Sequence, residues 1–189
     1  MHTDYLGDAL DFWKGSLLER LGYGRVGTKR ISVVPMFTKK LPDVGQMALY
    51  ADLLGRRPED IVLGDRLFSN AVREEYFAQA SRITGDLFLD PDTGVGHHSA
   101  QHVTDDDLAL LVQRDRLLMV YQHSWRGTSG LLARLGGAAR TAKASGGYLS
   151  CGQAGIFYLS RTQGRAAAVT THLASWLGDA APKRLNTLP

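Results

Sequence analysis

The sequence predicts an α/β fold: a three-layer sandwich with a mostly parallel sheet that ends in a C-terminal antiparallel hairpin. Three observations carry that expectation. Apolar runs of strand length, Ile31–Val34, Leu87–Leu89 and Leu117–Tyr121, alternate with longer stretches of helical periodicity. Polar clusters follow these runs, as they do where ligands bind at the carboxyl edge of an open α/β sheet. Further on, Tyr148–Cys151 and Ala154–Ser160 are separated only by Gly152-Gln153, the spacing of a hairpin.

Composition sets the outer bounds. With 189 residues, 44% of them hydrophobic, the chain is most simply one domain over residues 1–179, large enough to bury a core, followed by a loose tail at 180–189. The formal charge of +3 and a pI near 9.1 permit contact with nucleic acid without demanding it, because the basic residues are scattered. A single cysteine, Cys151, excludes an internal disulfide framework and a cysteine-based structural zinc site. The first residues lack the basic-then-apolar order of a signal peptide. No apolar run approaches the roughly 20 residues that span a bilayer. A soluble cytoplasmic protein without membrane contact is the expectation, and the oligomeric state stays open.

In chain order, residues 6–21 read as an amphipathic helix: Leu6, Leu10, Trp13, Leu17, Leu18 and Leu21 keep helical spacing, and Gly22 ends it. Asp4, Asp8, Asp11 and Lys14 recur at three- and four-residue steps and share roughly one face. They form either a functional face or, for Asp11 and Lys14, a surface pair. Ile31–Met36 is the first core strand, with Pro35 marking its end. The segment after it, Met36–Pro42, holds no glycine, so the glycine-rich cradle of a dinucleotide or P-loop site is not expected there. Residues 43–54 read as a helix closed by Gly55, Arg56–Asp60 as a turn, and Ile61–Leu63 as a short strand. A second amphipathic helix covers Asn70–Ile83, with Val72, Tyr76, Phe77 and Ala80 facing inward.

Asp86–Asp90 is too short for a helix and suits a strand buried on both faces, stopped by Pro91. Asp90 and Asp92 then fall at the carboxyl edge of the sheet and are candidate catalytic carboxylates; the alternative is an ordinary Asp-rich turn. The loop from Thr93 to His102 carries three histidines, but His97 and His98 are adjacent and no HExxH-like pair is present, so a polar loop over the site is expected rather than a zinc site. Thr104 caps a helix running to about Arg114, with Asp105, Asp106 and Asp107 in its first turn. After the strand Leu117–Tyr121, Gln122-His123-Ser124 stand at the same sheet edge, and His123 joins the candidate site. Residues 125–144 form a helix whose Arg126, Arg134, Arg140 and Lys143 present a basic face to phosphate or to solvent. A last helix covers about 164–177.

Two stretches carry a family resemblance. Gly7–Leu21, with Asp11-Phe-Trp-Lys14, looks like the entry helix of the large-subunit rRNA adenine-N6 methyltransferases, which carry an Asp-x-x-Lys-His type helix before the first strand. It also resembles the three-Cys-motif partner proteins, predicted relatives of those enzymes. Leu87-Phe-Leu-Asp90-Pro91 is similar to the strand and Asp-Pro that precede the catalytic loop in such families. The implied architecture is Rossmann-like, of the class I S-adenosylmethionine (SAM) methyltransferase type. The resemblance implies a role for Asp8, Asp11 and Lys14 toward SAM, and for Asp90 in accepting a hydrogen bond from a target amine. Two departures stand out: the loop after the first strand lacks the family's glycine, and Asp92-Thr93 replaces the Pro-Tyr/Phe whose ring stacks on the base.

Three functions follow. The first is a SAM-dependent methyltransferase-like protein acting on nucleic acid, working or degenerate. The second is a metal-dependent phosphodiesterase or nuclease in which Asp90, Asp92 and His123, with Asp8 or Asp11, hold Mg²⁺ or Mn²⁺, ions that prefer hard carboxylate ligands. The third is a non-catalytic adaptor on the same fold.

Overall fold

The computed structural model describes residues 3, 6–24, 29–97, 99–112, 115–123 and 129–188. Asp4, His98, Arg114, Ser124 and Arg126, which the sequence reading names, lie outside the described residues. In chain order the main elements are α1 (Ala9–Leu18), β1 (Ile31–Pro35), α2 (Val44–Leu53), α3 (Arg73–Arg82), β2 (Asp86–Asp90), β3 (Gly94–Val95), β4 (His102–Val103), α4 (Asp105–Leu111), β5 (Leu118–His123), α5 (Ser129–Thr141), β6 (Ser145–Cys151), β7 (Ala154–Ser160), α6 (Gln163–Leu177), α7 (Ala181–Arg184) and β8 (Leu185–Leu188). A π-type turn over Glu19–Tyr23 follows α1, with Gly22 at φ 88°. Asp8, Asp43 and Thr104 supply the N-caps of α1, α2 and α4, each accepting from backbone N–H groups of the first turn.

The main sheet has six strands in the order β1-β2-β5-β7-β6-β8. It is mixed, which corrects the expectation of a mostly parallel sheet. β1 with β2 and β2 with β5 pair parallel; β5 with β7, β7 with β6 and β6 with β8 pair antiparallel. The hairpin forms as expected, but its second strand inserts beside β5. β6 therefore runs in the same direction as β5, with the reversed β7 between them. The expected loose tail holds β8, hydrogen-bonded along β6 from Leu149↔Leu185 to Gly146↔Leu188. The strand expected at Ile61–Leu63 is a single bridge from Val33 to Ile61.

Alternation along the strands builds two cores. Val34, Leu87, Leu89, Leu118, Val120 and Leu159 face one side and pack with Phe77, Leu108 and Leu135 of α3, α4 and α5. Val33, Phe88, Met119, Ile156 and Tyr158 face the other and pack with Leu17, Tyr50 and Leu173 of α1, α2 and α6. Helices thus cover both faces of an α/β sheet in three layers. Val72, expected to face inward, is instead the N-cap of α3 with non-helical backbone, φ -107° and ψ 4°, and is 37% exposed. Among the described residues no helix is long and apolar enough to cross a membrane.

Candidate functional site

The site is assembled from the start of α1 and the end of β2. The Asp8 side chain accepts from the N–H groups of Leu10 and Asp11, which starts α1 at this point. Asp11 then takes the Gly7 N–H on Oδ2 at 2.9 Å and presents Oδ1 to Lys14 three residues on. The next residue, Gly15, lets the α1 backbone lie directly on the end of α2: a Cβ there would fall on the Leu53 carbonyl oxygen and within 2.9 Å of Leu54 Cα. That close approach delivers Lys14 to the carboxyl end of β2.

The Lys14 ammonium donates to Asp11 Oδ1 at 2.9 Å and to Asp90 Oδ1 and Oδ2 at 2.9 and 2.8 Å. The Tyr50 hydroxyl, from α2, donates to Asp90 Oδ2 at 2.6 Å. Lys14 Nζ also lies 4.3 Å from the centroid of the Tyr121 ring. Asp90 and Tyr50 are 0% exposed, Asp11 2% and Lys14 4%. Asp11 and Lys14, which the sequence leaves open as a functional face or a surface pair, are thus part of an interior ion cluster.

Two carboxylates share one ammonium here, away from water. Burial raises the Asp11 carboxyl; Lys14 opposes the rise and Asp90 adds to it. Burial alone would lower Lys14, but Asp90 and Asp11 together outweigh it and the net direction is upward, so the ammonium is held. Burial, then the negative charge of Asp90, pushes the Tyr50 hydroxyl well up, so it remains a donor. Both Asp90 oxygens face donors of the protein itself. The centre is closed and internally satisfied.

Asp92 and His123 sit beside this centre rather than in it. Asp92 is half-buried and accepts from Thr38 Oγ1 at 2.7 Å. His123 lies on β5, the strand next to β2, and meets the Tyr121 ring edge-on at 4.9 Å between centroids. Burial and then the Lys14 charge lower its pKa, against opposing pulls from Asp90, Asp92 and the Gln153 backbone. Gln122 points to the opposite face: its Oε1 accepts from Val95 N at 2.7 Å and its Nε2 donates to the Thr93 carbonyl at 3.1 Å. It clamps β3 beside Gly94, whose φ is 111° and where a Cβ would overlap the Gln122 amide. Among the described residues no group of three or more His, Cys, Asp or Glu is placed to hold a metal ion. Asp90, Asp92 and His123 are neighbours, each directed to a separate partner.

The lowered His123 value has a consequence for stability. The folded state binds a proton at this imidazole less readily than the unfolded chain, whose value is 6.5. Between those two values the unfolded state holds more protons, so stability falls as pH drops below about 6.5. His102, lowered by burial and by Arg134, adds to the same trend. Urea unfolding from pH 7.5 to 5 should show this loss, and His123→Gln should make the slope shallower. An unchanged slope in the variant would remove His123 from the account.

Of the residues singled out by sequence, Asp11, Lys14 and Asp90 come together, Asp8 caps their helix, and Asp92 and His123 flank them. Tyr50, Tyr121 and Thr38 are additions that the sequence reading missed. Tyr50 meets Asp90 across 40 residues of chain, and only its inward phase on α2 hints at a role. No family model matches this chain, and neither a curated protein nor a solved structure matches it.

Proposed function

We propose that this chain is a methyltransferase-like protein with a closed carboxylate centre, acting as a non-catalytic adaptor on nucleic acid. One observation carries the reading. The Lys14 ammonium occupies both oxygens of Asp90, the carboxylate that the family resemblance assigns to a target amine. A substrate amine would have to displace an interior ion pair. The reversed β7 between β5 and β6 supports a methyltransferase-like scaffold, and the charge of +3 is compatible with nucleic acid as partner.

The residues around β1 do not fit SAM. A cofactor lying over the end of that strand needs a backbone it can approach closely, which glycine provides. Met36 and Phe37 stand there instead, both 0% exposed, one packed into each core. Met36 N donates to the Asp90 carbonyl at 3.1 Å, which ties the loop down onto β2.

SAM and S-adenosylhomocysteine at millimolar concentration should therefore leave the melting temperature unchanged, whereas ligand at about 100 times its Kd would add about 2.7 kcal/mol. Single- and double-stranded oligonucleotides should bind at low salt, with log K falling linearly against log salt. A SAM-induced rise in melting temperature would return the chain to the working methyltransferases. Absence of oligonucleotide binding at low salt would remove the adaptor reading.

A further inference from the structure

A cavity of about 460 Å³ opens at the other end of the sheet, between the π-type turn and α6. Arg20, Lys29, Arg165 and His172 line it together with Leu21, Tyr23, Leu117 and Val169, and no carboxylate lines it among the described residues. That size is typical of small-ligand sites.

The cavity is built around buried polar structure. Asp86, at the start of β2 and 4% exposed, accepts from the Tyr23 hydroxyl at 2.5 Å, from Arg165 Nη2 at 2.5 Å and from Leu117 N at 2.8 Å. Asp86 thereby holds the Tyr23 ring and the Arg165 guanidinium in the wall. Burial and then Asp86 push the Tyr23 hydroxyl upward, so it stays protonated. The π-type turn supplies the opposite wall. Its Leu21 carbonyl accepts from Lys29 Nζ at 3.2 Å, and its Arg20 carbonyl pairs with His172 Nε2 at 2.8 Å.

We propose that this cavity binds a nucleoside phosphate, with its phosphates against Arg20 and Lys29, beside the Arg165 guanidinium that Asp86 holds, and its apolar body against Leu21, Leu117 and Val169. Cationic side chains recognise phosphate by charge-assisted hydrogen bonds, and the apolar wall favours a ligand larger than a bare anion. The site is separate from Asp90, and the proposal does not depend on the adaptor reading.

Titration calorimetry at low ionic strength tests it, with adenosine diphosphate, adenosine and pyrophosphate as probes. Adenosine diphosphate should bind, and adenosine at least tenfold more weakly. Arg20 and Lys29 are exposed, so the Arg20→Ala/Lys29→Ala double variant should fold and lose at least tenfold in affinity. Val169→Trp should fill the cavity and abolish binding. A 5′-phosphorylated trinucleotide that competes identifies the source as a nucleic-acid end, and one that does not compete identifies a free nucleotide; both support the site. No heat from adenosine diphosphate or pyrophosphate at millimolar concentration, or equal affinity in the double variant, overturns it. Oligonucleotide binding that survives the double variant belongs to the adaptor surface and leaves the cavity to be judged on adenosine diphosphate alone.

Discussion

Replacing Lys14 with methionine should cost about 3–5 kcal/mol of stability at pH 7, the usual consequence of removing one partner from a buried ion pair. Methionine keeps much of the volume and removes the charge. Asp11 and Asp90 then face each other in the interior with no cation. The deficit should narrow as pH falls toward the unfolded carboxylate value of about 3.9. Asp11 is already raised in the folded state with Lys14 pulling it down, so loss of Lys14 raises it further and the folded protein takes up protons more readily than the unfolded chain. Asp90→Asn is the informative contrast: Lys14 keeps Asp11, and the two-to-one charge imbalance disappears. Its cost should be nearer about 1–3 kcal/mol, the worth of hydrogen bonds to a charged group, with no response to Mg²⁺ or Mn²⁺. Urea unfolding of both variants at pH 7 and at pH 5 gives the comparison. A loss below about 1 kcal/mol for Lys14→Met, or a deficit independent of pH, would show that the cluster carries little of the fold.

Gly15→Ala should destabilise by about 1–3 kcal/mol or more, through overpacking. The sign is the test. At an open position inside a helix, glycine to alanine gains up to about 1 kcal/mol. At Gly15 the added methyl meets the Leu53 carbonyl and Leu54 Cα, main-chain atoms that cannot rotate aside. α1 must lift away from α2, and Lys14 retreats from Asp90 with it. Gly137→Ala on α5, where among the described residues only Arg140 Nη2 lies within 4 Å at 3.8 Å, should be neutral or stabilising. Thermal unfolding of the two variants measures the difference, and the fluorescence of Trp13 on α1 reports the displacement. A stabilised Gly15→Ala protein would mean that the two helices do not meet as closely as the geometry requires.

The sequence by itself determined the α/β class, most of the elements and several of their ends. Those signals are local. Apolar period separates strand from helix, Thr104 with Asp107 marks the start of α4, Pro91 stops β2, and Gly152-Gln153 closes the hairpin. It also marked Asp11, Lys14 and Asp90, because charges beside apolar runs are visible in one dimension. Tertiary structure alone decided what those charges became. Whether a Lys–Asp pair one helical turn apart is a solvated contact or an interior cluster depends on what covers it. Here the cover is Tyr50, brought in on α2 through the close approach at Gly15, and Tyr121, placed on β5 beside β2 by the sheet. Strand order was equally out of local reach. The insertion of β7 beside β5 and the docking of β8 on β6 satisfy backbone groups of strands that would otherwise be sheet edges, and no periodicity records which partner a strand will find. Local propensity therefore wrote the elements, while long-range pairing and burial turned the organising carboxylate of the chain into the anchor of its first helix.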